Sequence, residues 1–379
     1  MIGKGAFLKK ITSHFGWRST NLGTKLDGST PPSVFIGRAN YPKVFVGPML
    51  STTHESSILD SPESWIPLGK TQDEIIDFRM NLIRGKEVVS ITDLENNLVR
   101  KLTEIALAKT SVEAEAVFHY KPYGYSFSDE ELPIGPSAKI DKFDITNSKW
   151  DHFMEKAYYD TDLIASEAVF DLYTNDVPFS SIQKALSVGA FGLKKSRKMV
   201  PTRNSITALD STLSKKLFDE VKHYPFIEEF YVYEYSSLNN SYYVILIPGF
   251  WQFEWMEAFI RVNENHIFSD FEQFKPKTQY SEVGGCYYSS KFAVLEALNR
   301  MKKQSTAIIL REAYEDYVPL GVFNVRENIR NALIQKPKIF ENLRQSLTYV
   351  SSKLRLPISR FIEESSLLKE LLKYQQTTL

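Results

Sequence analysis

Cysteine is nearly absent from this sequence: 379 residues hold one, Cys286. A lone thiol excludes an intrachain disulfide and a Cys-rich zinc site, so zinc is not expected. The histidines, at 14, 54, 119, 152, 223 and 266, form no HExxH or HxxxH pair, which removes the common zinc-hydrolase spacing as well. Long apolar runs are also lacking. No stretch approaches the roughly 18 consecutive apolar residues of a membrane helix, and residues 1–10 carry lysines without a signal-peptide core. These absences predict a reducing, cytoplasmic location and no membrane partner. P-loop, GxGxxG, GxSxG and kinase signatures are missing too.

Net charge is absent as well, with 46 basic against 46 acidic residues. The zero hides an asymmetry, because residues 1–190 hold 20 basic and 25 acidic side chains, whereas residues 191–379 hold 26 and 21. An anionic partner is therefore sought in the second half. Apolar content of 43% and charged content of 24% are globular values. The length allows two or three domains.

Periodicity supplies the elements. Residues 1–16 place Phe7, Leu8, Ile11 and Phe15 at helical spacing, and residues 17–32 read as a loop. Runs at 33–38 and 43–47 predict a hairpin, with Pro48 ending its second strand. Helical patterns follow at 71–84 and 93–109, then a strand at 113–120. The Pro- and Gly-bearing stretch 121–149 reads as a long exposed connection. Helices are expected at 150–158, 162–173, 179–188 and 205–222. Tyr and Val alternate through 229–235 and 242–247 around Asn239-Asn240, the clearest hairpin in the chain. Residues 250–259 predict a third strand or a helix start. A helix at 289–303, a strand at 306–311 and helices from Val322 onward complete the pattern. The expected class is α+β, an antiparallel sheet surrounded by helices with a helical C-terminal region. Three regions are expected: 1–145, 146–335 with the basic loop and hairpin, and a helical tail at 336–379.

The densest charge is the loop 192–204, where Lys194, Lys195, Arg197, Lys198 and Arg203 stand without an anion beside Ser196, Thr202 and Ser205. A cationic loop running into a helix N-terminus suits phosphate, because charge, hydroxyls and backbone N–H groups converge there. A solvated surface loop is the competing explanation. Aromatic side chains crowd residues 226–274. Most belong to a half-buried sheet, but a few beside cations could stack unpaired bases. Glu254, Glu257, Asp270 and Glu272 are hard oxygen ligands close in sequence, and an enzyme built on them would call on Mg. At the far end, Gln376 and Leu379 have the Q-x-x-aliphatic spacing that opens a sliding-clamp-binding (PIP) motif. Its two aromatics would fall three and four residues beyond Leu379.

Five segments carry a resemblance: PSVFIGRANYPKVFVGP at 32–48, SRKMVPTRNSITALD at 196–210, PGFWQFEWMEA at 248–258, GGCYY at 284–288 leading into AVLE at 293–296, and PLGVFNVRE at 319–327. Together and in this order they resemble the archaeal Nre family of DNA repair proteins. The resemblance implies a DNA-damage-response protein that works with the replication sliding clamp, PCNA, through a C-terminal PIP motif. Gln376 and Leu379 match the motif's first half. The family's small cysteine-rich segment has no counterpart in a one-cysteine chain.

Site candidates come from motifs and residues together. Lys194, Lys195, Arg197, Lys198, Thr202, Arg203 and Arg326 are the phosphate-binding candidates, and Glu254, Glu257, Tyr287 and Tyr288 the catalytic ones. Three functions are open on this basis. The chain is a repair protein that binds DNA and is recruited by the clamp, an enzyme acting on nucleic acid or a nucleotide, or a clamp-tethered scaffold without its own ligand site. The enzyme alternative requires the basic loop, Glu254, Tyr287, Tyr288 and Arg326 to meet in one pocket.

Overall fold

The computed structural model describes Lys4 and residues 23–128, 131–261, 265–275 and 277–377, the last four by backbone alone. Apart from Lys4, the expected helix at 1–16 lies outside the described residues. The chain forms two compact units, one of residues 12–213 and one of residues 1–11 with 214–379. Sequence reasoning places boundaries near 145 and 335, whereas this division falls inside a helix.

In the unit of residues 12–213, strands β1 (Lys25–Thr30), β2 (Val34–Ile36), β3 (Lys43–Leu50), β4 (Ile83–Ser90), β5 (Val112–Phe118) and β6 (Ser137–Ile145) form one sheet in the order β1-β5-β6-β4-β3-β2. Helices α1 (Gln72–Met80), α2 (Asn97–Leu107), α3 (His152–Tyr159), α4 (Ala165–Thr174) and α5 (Phe179–Ser187) accompany it. Helix α1 starts where the sequence predicts. Thr71 accepts a hydrogen bond from the Glu74 amide at 3.2 Å, and the Glu74 carboxylate accepts one from the Thr71 amide at 2.8 Å, a reciprocal capping box.

Two strands lie where loops were expected. β1 falls in 17–32 and pairs antiparallel with β5, and β6 falls in 121–149 and pairs with β4 and β5. Pro48 does not end β3, which runs to Leu50. The ladder between β3 and β4 pairs Val46 with Glu87 and resumes at Met49 with Arg84, so Pro48 sits where no donor to β4 is called for.

This unit is tied together by a buried ionic cluster. Asp60 receives Arg79 Nη1 at 2.5 Å and Lys184 Nζ at 2.8 Å, and Arg79 Nε donates to the Pro133 carbonyl at 3.0 Å. Burial alone would raise the Asp60 pKa, but Arg79 and Lys184 overcome it and hold the group at about 2, below the ordinary 3.8. A depressed carboxylate stabilises the fold above pH 3.8, and that contribution is lost as pH falls through about 2. Asp60→Asn leaves two buried cations uncompensated. The expected loss is about 3–5 kcal/mol, read from denaturant midpoints at pH 7.

The other unit carries the second sheet: β7 (Phe230–Ser237), β8 (Asn240–Ile247), β9 (Gln252–Ile260), β10 (Asn265–Glu272), β11 (Thr306–Ala313) and β12 (Lys338–Phe340), in the order β10-β9-β11-β8-β7-β12. Helix α6 (Thr202–Val221) leads into it from the basic loop, followed by α7 (Gly285–Met301), α8 (Phe323–Leu333), α9 (Leu343–Ser351), α10 (Ile358–Glu364) and α11 (Leu367–Thr377). The Tyr/Val hairpin is β7–β8, as its alternation predicts. Residues 250–259 resolve as strand β9. The fold is α+β, and both sheets are mixed rather than antiparallel, because β4 runs parallel to β6 and β9 to β11.

Strand parity divides the second core. Tyr243, Ile245 and Ile247 of β8, Met256 and Ala258 of β9, and Ile308 and Leu310 of β11 pack with Leu343, Leu347, Phe361 and Leu368 of the C-terminal helices. The alternate residues of these strands face the opposite side of the sheet, where helices α7 and α8 lie.

Candidate nucleic-acid interface and a buried ionic row

The basic loop is a built structure. Its approach to the fold depends on Gly189, whose φ is +77° and where a Cβ would lie 2.7 Å from the Lys198 carbonyl oxygen. Lys194–Ser196 make a single 3₁₀ turn. Arg197 then pins the loop to its surroundings. Its Nε donates to the Gly192 carbonyl at 2.7 Å, Nη1 to that of Tyr158 at 2.7 Å and Nη2 to that of Asp160 at 2.6 Å. One planar guanidinium thus gathers three carbonyls, a fork that lysine could not reproduce. Met199 is buried behind it, its amide bound to the Ile91 carbonyl at 2.8 Å.

This clamp leaves Lys194, Lys195 and Lys198 exposed. Arg197 itself has three donors engaged by the protein. The hydroxyls beside the cations also have internal partners. Ser196 donates to the Leu193 carbonyl at 3.0 Å, Thr202 accepts the Ile36 amide at 3.0 Å, and Ser205 donates to the Thr202 carbonyl at 2.8 Å while accepting from Gln183 at 2.6 Å. Arg203 is half-buried at the start of α6. The outward chemistry of the loop is therefore ammonium charge.

The carboxylate candidates Glu254 and Glu257 lie apart. Glu254 and Glu257 stand three apart on a strand and so point to opposite faces of the sheet. Glu254 faces the C-terminal helices, where it accepts from the Ser365 hydroxyl, from the Ser366 amide at 2.6 Å and from the Leu367 amide at 3.3 Å. It caps the N-terminus of α11, as a carboxylate does well. Burial raises its pKa, and those hydrogen bonds oppose the rise.

Glu257 lies fully buried on the other face, paired with Lys4 and with Arg311 Nη1 at 2.8 Å. The register sets Tyr242 of β8, Arg311 of β11 and Glu257 of β9 side by side in one row across the sheet. Arg311 also donates through Nε to Asn240 at 2.9 Å and lies over the rings of Tyr317 at 4.8 Å, Phe259 at 5.5 Å and Tyr242 at 5.7 Å. Sequence reasoning missed Arg311. The available signal was a cation inside the apolar run Thr306–Ala313.

Tyr287 and Tyr288 open α7. Tyr287 is buried edge-on to Phe253, and burial, with Glu272 nearby, pushes its hydroxyl pKa far up. A phenol so placed is a poor proton donor near neutrality. Tyr288 accepts the Ser281 amide at 3.0 Å, and burial raises its pKa as well. Arg326 and Glu327 are buried on α8, with Glu327 bonded to Arg330 at 3.1 Å.

The remaining carboxylates are also occupied. Asp270 accepts the Ser281 hydroxyl at 2.6 Å and pairs with Lys277. Glu272 pairs with Lys291 at 2.6 Å and accepts the Trp251 indole at 3.0 Å. Among the described residues no three His, Cys, Asp or Glu side chains are grouped as a metal would require. Mg does not fit these four carboxylates, because each is already bonded to a lysine, an arginine or a helix end.

The match of known protein families to the chain agrees with the motifs. The family model described as Archaeal Nre, N-terminal, matches residues 4–263, and that described as Archaeal Nre, C-terminal, matches residues 272–379. The chain belongs to the archaeal Nre family. It is 38% identical over 354 residues to DNA repair protein NreB of Archaeoglobus fulgidus, covering 90% of this chain and 88% of the relative. It is 32% identical to DNA repair protein NreA of the same organism, covering 93% and 89%. To DNA repair protein NreA of Haloferax volcanii it is 31% identical, covering 83% and 80%. No solved structure matches. The bond from the Ile36 amide to Thr202 joins two of the Nre-like segments, 32–48 and 196–210. Among the described residues no helix is long and apolar enough to cross a membrane.

Proposed function

We propose that this Nre chain is a DNA repair protein that binds DNA directly, with Lys194, Lys195, Lys198 and Arg203 on the phosphate backbone. The observation that carries this reading is the display of three exposed lysines on a loop pinned by the Arg197 guanidinium. Such a surface attracts a polyanion without sequence preference. The relatives' names supply the process, repair, and the loop supplies a physical means of reaching DNA. The test is binding of a labelled duplex and a labelled single strand to the whole chain at low salt. Affinity is expected to fall steeply as salt rises, and no binding at low salt contradicts the proposal.

Recruitment by the sliding clamp is part of the same proposal and rests on the spacing of Gln376 and Leu379. The Gln376 side chain and Leu379 lie outside the described residues. Replacing both with alanine is expected to abolish retention of the chain on immobilised clamp while leaving DNA affinity unchanged. Equal retention of both forms contradicts it. The enzyme alternative, which calls on Glu254 or Glu257, and the scaffold alternative are separated from this reading by the first test, in which a scaffold binds no DNA.

A further inference from the structure

In the unit that carries the second sheet, three phenylalanines sit side by side on the surface. Phe250 is 62% exposed, Phe274 59% and Phe226 41%. Their rings form a continuous series of contacts. Phe226 and Phe250 have centroids 4.9 Å apart and Phe250 and Phe274 6.4 Å apart, each pair at 82°. In each edge-to-face pair one ring's edge covers a single face of its neighbour, and the exposures above leave much of the ring surface open to solvent. Contiguous exposed rings of this kind mark interaction sites rather than ordinary surface.

The platform is held from below by Gln304, which is 3% exposed. Its side chain donates to the carbonyls of Lys222 at 3.0 Å and Tyr224 at 3.3 Å and accepts the Trp251 amide at 3.0 Å. Its backbone binds Pro225 at 2.9 Å and Ile227 at 3.1 Å. Thr306 adds a bond to the Phe250 carbonyl at 2.8 Å. The loops carrying Phe226 and Phe250 are thus fixed in place, and a preorganised surface loses less entropy on binding.

Charge selects the occupant. The segments 225–228, 248–252, 273–275 and 302–304 contain Lys275, Lys302 and Lys303 against one carboxylate, Glu228. Lys303 Nζ donates to the Phe226 carbonyl at 3.2 Å, which puts a cation at the rim of the rings. Its ion pair with Glu228, at 3.6 Å with the glutamate 86% exposed, is weak in water. Exposed rings with an ammonium group at their rim are the two elements that grip an unpaired strand, base by stacking and phosphate by charge.

We propose that Phe226, Phe250 and Phe274 form a stacking platform for unpaired DNA bases, with Lys303 beside it for the backbone. The inference rests on the DNA-binding reading above and adds the form of DNA recognised and a second contact surface. The three rings are on the surface, so their removal leaves the core intact.

The test compares wild type, Phe250→Ala/Phe274→Ala and Lys194→Ala/Lys195→Ala/Lys198→Ala on a labelled oligo-dT strand and on a duplex of equal length, with sedimentation of each protein alongside. The phenylalanine variant is expected to lose about fivefold or more in affinity for the single strand, with duplex affinity nearly unchanged. Wild-type binding to the single strand that the phenylalanine variant retains in full overturns the platform and leaves the loop reading standing. Wild type that binds neither DNA at low salt overturns both. A phenylalanine variant that dissociates from dimer to monomer with unchanged DNA affinity also overturns the platform, as the patch then joins two copies of the chain.

Discussion

Arg311→Met is expected to destabilise the second-sheet unit by about 3–5 kcal/mol. The guanidinium is fully buried and pairs with Glu257, which is equally buried on the neighbouring strand. Removing it leaves a carboxylate in the core with Lys4 as its remaining ionic partner. The row is already imperfect. Arg311 Nη2, the Tyr242 hydroxyl and the Trp255 indole N–H are buried without a hydrogen-bond partner among the described residues. The same physics gives the triple variant Lys4→Met/Glu257→Gln/Arg311→Met a much smaller loss, because a poorly satisfied ionic cluster adds little net stability and removing all three charges strands none of them. The measurement is the denaturant midpoint followed by tryptophan fluorescence, since Trp251 and Trp255 are both in this unit. A single variant within about 1 kcal/mol of wild type contradicts a structural role for the row.

Replacing Lys194, Lys195 and Lys198 together by alanine carries the second large effect. The three ammonium groups are exposed, so their loss leaves the fold alone and removes only charge offered to solvent. DNA affinity at about 50 mM salt is expected to drop on the order of 100-fold, equally for unrelated sequences, because phosphate contacts do not read bases. Arg197 is kept in this variant for a physical reason. Its three carbonyl bonds hold the loop, so removing it would confound lost charge with lost shape.

How far the sequence predicts this molecule depends on where the pattern is local. The β7–β8 hairpin and helices α1 to α8 follow from alternation, periodicity and caps within single segments. The strands β1 and β6 were illegible for opposite reasons. KLDGST is polar and short, and it is held by partners distant in sequence, β5 and the Ser29–Ser51 bridge, while SAKIDKFDI is preceded by a Pro- and Gly-bearing stretch that suggests a loop.

The site divides in the same way. A cluster of lysines is visible in one dimension, but the use of Arg197 is not, since its acceptors include Tyr158 and Asp160, far back in the chain. Glu254 and Glu257 look like a pair in sequence, and only the identification of residues 252–260 as a strand places them on opposite faces. Arg311 could have been noticed as a cation in an apolar strand, yet its partners Glu257 and Asn240 come from other strands.

The most direct test of DNA binding by the displayed lysines is the salt dependence of duplex affinity, compared between wild type and the triple-lysine variant. Each phosphate contact adds about 0.9 to the slope of log affinity against log salt, so the two slopes should differ by roughly 2 to 3. Between about 50 and 200 mM, wild type should lose roughly 40-fold more affinity than the variant. Parallel lines, or a wild type that does not bind at low salt, contradict the claim.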